Sequence, residues 1–310
     1  MSLNQDFVSY YSSHSSNTNP GKYETLLRKL PDNIEKLSNI IHGLIIHFNN
    51  TEDLYDFKPK LEEIREVNTR YIDQILKIIL TKDSSPLHKQ REPRKRFFGS
   101  CRDFSLMLCS ILRSKKIPSR LRCGFGSYLE SGRFWDHWAC EFWQKKENRW
   151  ILVDPEIGKE ERHVYDVPAG LDNTDLKREQ FIVAGLVWER CMSKKVNPNL
   201  FGPHNIGSGL PFIRGNLLLD FAALNKVELL PWDVHPFLNS SIFGKKELTK
   251  EENNLIDLLA KLTRQSNNSD FQNIRSLYES EHSLKVGSAV WSYRTKTPVL
   301  VRLREIETQA

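Results

Sequence analysis

Cys101, His137 and Asp154 are the residues whose types, order and settings could do chemistry together. The cysteine opens an apolar run, GSCRDFSLMLCSILRSKKIPSR; the histidine sits in DHWACEFW; the aspartate ends RWILVD before Pro155. A thiolate is a nucleophile, an imidazole can take the thiol proton, and a carboxylate fixes the imidazole tautomer and stabilises its charge. Such a set attacks a carbonyl carbon and passes through a thioester. Singly, each residue also has an ordinary reading: a buried core cysteine, a histidine packed near tryptophans, a turn aspartate before proline. The ordered set is a much stronger signal than any member.

The elements that must position these residues are legible in the same stretch. Ser100 followed by Asp103 forms the S-x-x-[DE] capping box, which makes Ser100 the N-cap and Cys101 the first helical residue. A thiol there faces unpaired N–H groups and the positive end of the helix dipole, so its pKa is expected to fall. The Cys101 N–H, free of the helix ladder, could donate to an oxyanion. Leu106, Leu108, Cys109, Ile111 and Leu112 give the helix an apolar body. Strand alternation places Trp135, His137, Ala139 and Glu141 on one face, and Phe134, Asp136, Trp138, Cys140 and Phe142 on the other. A charged turn, 144–149, leads into a second strand, 150–154, and the hairpin is expected to bring His137 to Asp154. Trp135, Trp138 and Trp143, with Asp136, could wall a substrate groove, although core packing suits Trp138 equally.

This stretch resembles the transglutaminase-like superfamily of papain-type cysteine enzymes. The family pattern is a G-x-C helix ending in G-I-P-[AS]-R, a strand with H-[AW]-[WV], and a later W-x-x-x-D. Here it reads GSCRDFSLMLCSILRSKKIPSR, DHWACEFW and RWILVDP, over about 60 residues. Further segments, VAGLVWERC, IRGNLLLDFAALNKVELLPWDVH and NPGKY, resemble a bacterial stand-alone subgroup. The resemblance implies an α+β papain-like core in which a nucleophile helix packs on an antiparallel sheet, with extra N- and C-terminal helices. It implies Cys101 as nucleophile, His137 as general base and Asp154 as the orienting acid. Lys116 stands where the family usually has glycine, at little cost outside the left-handed region. In such enzymes a side chain upstream of the cysteine is the second oxyanion donor; no tryptophan precedes Cys101, which leaves Gln90, and less so Gln74, as candidates.

The rest of the chain frames this core. Residues 1–90 read as an N-terminal helical extension, 91–168 as the catalytic core and 169–310 as a mainly helical extension packed on it. Leu37, Ile40, Ile41, Leu44 and Phe48 recur at helical spacing, and a second helix is expected from about 60 to 80. A third helical run spans 181–192, and Thr249 with Glu252 caps a helix running to Leu262. His42 and His47 share no helix face and read as core or surface residues rather than ligands. Lys89, Arg91, Arg94, Lys95 and Arg96 form a basic loop, either solvated or a rim steering an acidic partner.

With 310 residues, 39% hydrophobic and 27% charged, the composition suits a globular protein, and a net charge of +6 does not demand nucleic acid. No membrane span and no secretory signal are read, and five cysteines without CxxC spacing point to a reducing, cytoplasmic setting. Cys101, Cys109, Cys123, Cys140 and His137 lack the ligand spacing of structural zinc sites. No metal, cofactor, phosphate loop or calcium loop is expected. The function read from these features is a thiol enzyme acting on an amide or peptide bond of a protein, peptide or other substrate, its thioester resolved by water or an amine. The alternative is a non-catalytic module of the same fold that binds a protein or nucleic acid.

Overall fold

The computed structural model describes residues 6–165, 167–203, 207–239, 247–265, 268–295 and 297–304. In chain order the elements that matter here are α1 (Phe7–Ser12), α2 (Ile34–His42), β1 (Ile45–His47), α3 (Ile72–Lys82), β2 (Phe97–Gly99), α4 (Cys101–Ser114), β3 (Ser119–Gly126), β4 (Trp135–Gln144), β5 (Arg149–Val153) and β6 (Phe181–Val183). They are followed by α5 (Ala184–Met192), α6 (Leu210–Leu224), β7 (Asp233–Val234), α7 (Lys250–Thr263), α8 (Phe271–Ser280), β8 (Ala289–Ser292) and β9 (Val299–Arg302). The fold is α+β, as expected. Its centre is a four-stranded antiparallel sheet, β5-β4-β3-β6, with α4 packed on β3 and β4. Among the described residues no helix is long and apolar enough to cross a membrane.

The nucleophile helix is the most enclosed element. Its capping box forms, with Ser100 N–H donating to Asp103 Oδ2 at 2.8 Å. Every residue from Arg102 to Ser114 is buried, so the helix is held by burial on all sides and not by one amphipathic stripe. The polar members of this buried set are paired. Arg102 bonds Asp103 at 2.9 Å and Arg113 bonds Glu228 at 3.0 Å, while on β3 Arg120 bonds Glu141 at 2.8 Å and Arg122 bonds Asp220 at 2.8 Å. A buried charge is tolerated only when compensated in this way. Two of these partners, Asp220 and Glu228, belong to the C-terminal third, which is thereby tied to the central sheet. One contiguous apolar core runs from Leu27 through Leu106, Trp138 and Leu217 to Val290, drawing on all three expected regions.

Several local expectations are corrected. The helix expected to run through Leu44 and Phe48 stops at His42; Ile45–His47 instead pairs in parallel with Phe97–Gly99 as β1 and β2. Two β-branched residues in succession suit a strand better than a helix end. The second helix is broken into Leu61–Arg65, a short 3-10 turn at Glu66–Asn68, and α3. The run 181–192 divides likewise: Phe181, Ile182 and Val183 pair with β3 as β6 before α5 begins. The capping box at Thr249 and Glu252 forms as read and opens α7. Beyond this helix, α8 begins at Phe271. The C-terminal region adds a three-stranded sheet, β7-β8-β9, to its helices.

The basic loop is solvated only in part: Lys89, Arg94 and Lys95 are exposed. Arg91 and Arg96 are buried; Arg91 donates to the carbonyls of Asp83, Ser85 and Lys89, and Arg96 to Arg91 O and the Tyr55 hydroxyl. Arg94 pairs with Glu63 and stacks over Phe57. These guanidinium groups hold loop carbonyls that lack regular secondary structure, which is why they cluster here.

Candidate functional site

The site forms where the start of α4 meets the end of the β4–β5 hairpin. His137 lies on β4 opposite Gly124 of β3, with its ring buried. Its Nε2 and Asp154 Oδ2 are 2.8 Å apart, and both side chains are enclosed. The Cys101 thiol, the His137 imidazole and the Glu156 carboxyl each present one atom within 4.8 Å of the others. Cys101 is half-buried as a residue, while its thiol is enclosed together with His137 and Glu156.

The hairpin explains how Asp154 arrives. Cys140 pairs with Val153, so the register carried one step further sets Asp154 level with Ala139 and Glu156 level with His137. The strand ends at Val153, and the chain then leaves the sheet with Asp154 N–H bonded to Asn173 O at 2.8 Å. This departure lets the Asp154 carboxylate reach His137 diagonally. Tyr128 O–H donates to the same Oδ2 at 2.6 Å, and Glu156 N–H donates to Oδ1 at 3.0 Å. The carboxylate is thus held by three donors in a dry setting.

The electrostatics follow from that geometry. Burial disfavours charge on His137, but the charge and hydrogen bond of Asp154, with smaller help from Cys101, outweigh it and hold the imidazole well above its ordinary range. Burial likewise opposes charge on Asp154, yet His137 and the Tyr128 hydroxyl keep its carboxyl below the usual range. For Cys101 the balance falls the other way. Burial pushes the thiol up to about 11; the hydrogen bond and charge of His137 pull it down, while Glu156 and Asp136 push it up further. The lowered thiol pKa expected from the helix N-terminus is therefore not found. Desolvation and two nearby carboxyl groups exceed what a helix dipole supplies, which is about 1 kcal/mol.

Four residues beside the site were not assigned to it from the sequence, where His47 reads as a core or surface residue. Glu156 is 1% exposed; burial raises its carboxyl to about 8, and its Oε2 has no hydrogen-bond partner. Its Oε1 accepts from the Tyr165 hydroxyl at 3.1 Å, and that hydroxyl also takes a bond from Asn50 Nδ2. His47 ends β1 in register with Gly99, two residues before Cys101, and feels the charge of His137. Burial lowers its pKa to about 3, which keeps it neutral. Continuing the hairpin register would have pointed to Glu156; no sequence signal points to His47, Tyr165 or Asn50.

The other expected residues are dispersed. Gln90 is exposed, with its Cα beside Gly43 at the start of β1, whereas Cys101 follows the far end of β2. Gln74 is exposed on α3. Trp138 is a core residue against α4, and Ser105 Oγ donates to its carbonyl. Trp135 is exposed at the start of β4, its indole N–H bonded to Glu130. Asp136, next to His137, is raised to about 6 by burial against the opposing charge of His137. A cleft of about 1050 Å³ is lined by Trp143, Trp150, Arg149, Arg178, Phe181 and Arg264, among others, and by none of Cys101, His137 or Asp154. Phe181 links the two places, its ring centroid 6.4 Å from that of His137.

Residues 58–155 match the family model of the transglutaminase-like superfamily, a span that takes in Cys101, His137 and Asp154 and bears out the resemblance read from the motifs. A solved structure described as "a Putative Cysteine Protease from Cytophaga hutchinsonii" is similar at 17% identity and a TM-score of 0.30, over 57% of this chain and 49% of that one. The chain thus spans about half the length of that solved protein. Comparison with curated proteins gives no match.

Proposed function

With a transglutaminase-like core as premise, we propose that the protein is a thiol enzyme that acts on an amide or peptide bond through a thioester on Cys101. The observation that carries this reading is the buried 2.8 Å contact between His137 and Asp154 beside the one partly exposed cysteine. The other four cysteines are buried. Because Asp154 occupies Nε2, the remaining nitrogen of His137 is the one available to the thiol. In this reading the neutral form of His137, a minor form given how far Asp154 raises the imidazole, takes the Cys101 proton as sulfur attacks the carbonyl carbon, and returns it to the departing amine. Asp154, ionised, stabilises the imidazolium that forms between these steps. Water or a second amine then resolves the thioester, giving hydrolysis or acyl transfer.

Two donors are available to the oxyanion. One is the Cys101 N–H, which the helix leaves unpaired. The other is His47: Asn49 N–H donates to its Nδ1 at 3.3 Å, so the proton of this neutral ring resides on Nε2, a donor. We assign His47 to the role that no upstream tryptophan supplies, on its neutral ring and its register beside Gly99.

The test is an acyl-enzyme trap. Incubation with a library of peptide amides, followed by peptide mapping, should reveal a hydroxylamine-sensitive acyl adduct on Cys101. Loss of the base in His137→Ala should slow its formation by about 10²-fold or more. Product formation that survives unchanged in Cys101→Ser would sink the proposal.

A further inference from the structure

Glu156 is unexplained by the Cys101–His137–Asp154 assignment. Its carboxyl is 1% exposed, its Oε2 has no partner, and it shares a 4.8 Å sphere with the thiol and the imidazole. A buried carboxyl oxygen with nothing bound to it is costly, and such a group commonly marks an absent partner. The chemistry of its neighbours indicates which partner. A thiolate, an imidazole nitrogen and a carboxylate oxygen form a mixed soft and borderline donor set, which suits Zn²⁺ or Co²⁺ and not the oxygen-only preference of Mg²⁺ or Ca²⁺. The second shell is already present. His137 is held through its other nitrogen by Asp154, the carboxylate–histidine arrangement that orients metal-bound imidazoles. Glu156 is steadied through Oε1 by Tyr165, which leaves Oε2 to turn inward.

We propose that Cys101 Sγ, His137 Nδ1 and Glu156 Oε2 form a three-ligand site for a divalent ion of the zinc type, and that its occupancy silences the thiol. Bonds of about 2.0–2.3 Å require the three donors to draw in by roughly 1 Å, and three protein ligands leave a fourth position open to solvent or a small anion. On binding, the thiol, the carboxyl and the His137 Nδ1 give up any protons they hold to the buffer, and no electrons are exchanged. The sequence spacing gave no sign of such a site because its ligands come from a helix start, a strand and the turn after a hairpin, not from one short loop. The inference goes beyond the enzymatic reading: ion binding requires no turnover, and Cys101 acylation in the presence of chelator tests the enzyme separately.

The experiment uses the full chain, freed of metal by chelation and titrated with Co²⁺. One equivalent should produce the near-ultraviolet thiolate charge-transfer absorption and the intense visible bands of a four-coordinate ion, both removed by one equivalent of Zn²⁺. The same Zn²⁺ should protect Cys101, and no other cysteine, from iodoacetamide in the unmodified protein, with EDTA restoring the reaction. Glu156→Gln, which keeps the shape of the side chain, should weaken Zn²⁺ binding at least tenfold while leaving alkylation in EDTA in place. Charge-transfer absorption that persists in Cys101→Ser, absence of the band in the unmodified chain, or equal affinity in Glu156→Gln would each overturn the proposal.

Discussion

At the scale of single residues, Cys101 and His137 present an imbalance that an alkylation profile can read. Burial opposes charge on the His137 imidazole but Asp154 outweighs it and raises its pKa, whereas burial, with Glu156 and Asp136, raises the Cys101 thiol. In the resting, metal-free protein the thiolate fraction therefore rises only in the alkaline range. The second-order rate of iodoacetamide alkylation at Cys101, followed by peptide mapping in EDTA, should climb well past neutral pH toward about 11. Since His137 lowers the thiol pKa, His137→Ala should move the midpoint higher still. A plateau already reached below neutral pH would mean a preformed thiolate and would contradict this picture. Lys116 offers a second residue-level test. Its φ is 61°, so it occupies the left-handed region where the family pattern has glycine, the case in which lysine does carry a cost. Lys116→Gly should raise stability by on the order of 1 kcal/mol in urea unfolding.

At the scale of elements, much was legible because local rules and tertiary needs agreed. The capping box at Ser100 and Asp103 is stated by two residues and depends on nothing distant, so it could be read directly. The β4–β5 hairpin was legible from alternation and a charged turn. What could not be read was set by partners far along the chain. Ile45–His47 looks helical by spacing and becomes a strand because Phe97–Gly99 lies beside it. Trp138 could not be divided between groove and core until α4 was in place against it. Gly124 shows how tightly these elements converge on the site. It pairs with His137 on one side and Val183 on the other, and a Cβ built there would lie 2.4 Å from the Ile182 carbonyl. Because the obstacle is backbone, β6 would have to move away. Gly124→Ala should therefore destabilise the fold by roughly 1–3 kcal/mol in denaturant unfolding and slow Cys101 acylation through displacement of His137. A variant with unaltered stability would show that β6 yields freely.

At the scale of the molecule, the site is one part of an unusually polar interior whose titrations set how stability varies with pH. Half-buried His14 and His42 and buried His235 are lowered to about 4, and His47 to about 3, chiefly by desolvation. A base with a depressed folded pKa contributes stability that is present above its ordinary value near 6.5 and is lost as pH falls through the folded value. The acids act in the opposite sense. Glu156 is raised to about 8 and Glu161 to about 7, again chiefly by burial, so their contribution is complete below an unfolded value near 4.5 and is lost as pH rises through the folded values. Between about 4.5 and 6.5 the two sets oppose each other; above that range the glutamates act without the histidines. These groups by themselves give thermal stability a maximum near the ordinary histidine pKa; Asp136, raised to about 6, and His137 add to the decline above it, and Lys226, lowered to about 7, opposes it. Glu156→Gln isolates one contributor. Below about pH 4.5 the variant and the parent should unfold alike, since the carboxyl is neutral in both states. Above it the variant should gain by up to about 1.4 kcal/mol per pH unit until the gap levels off near pH 8. Calorimetry in EDTA across this range reads the gap directly. A constant difference would mean that Glu156 is ionised in the fold at all these values, and a gap that grows on acidification would reverse its sign.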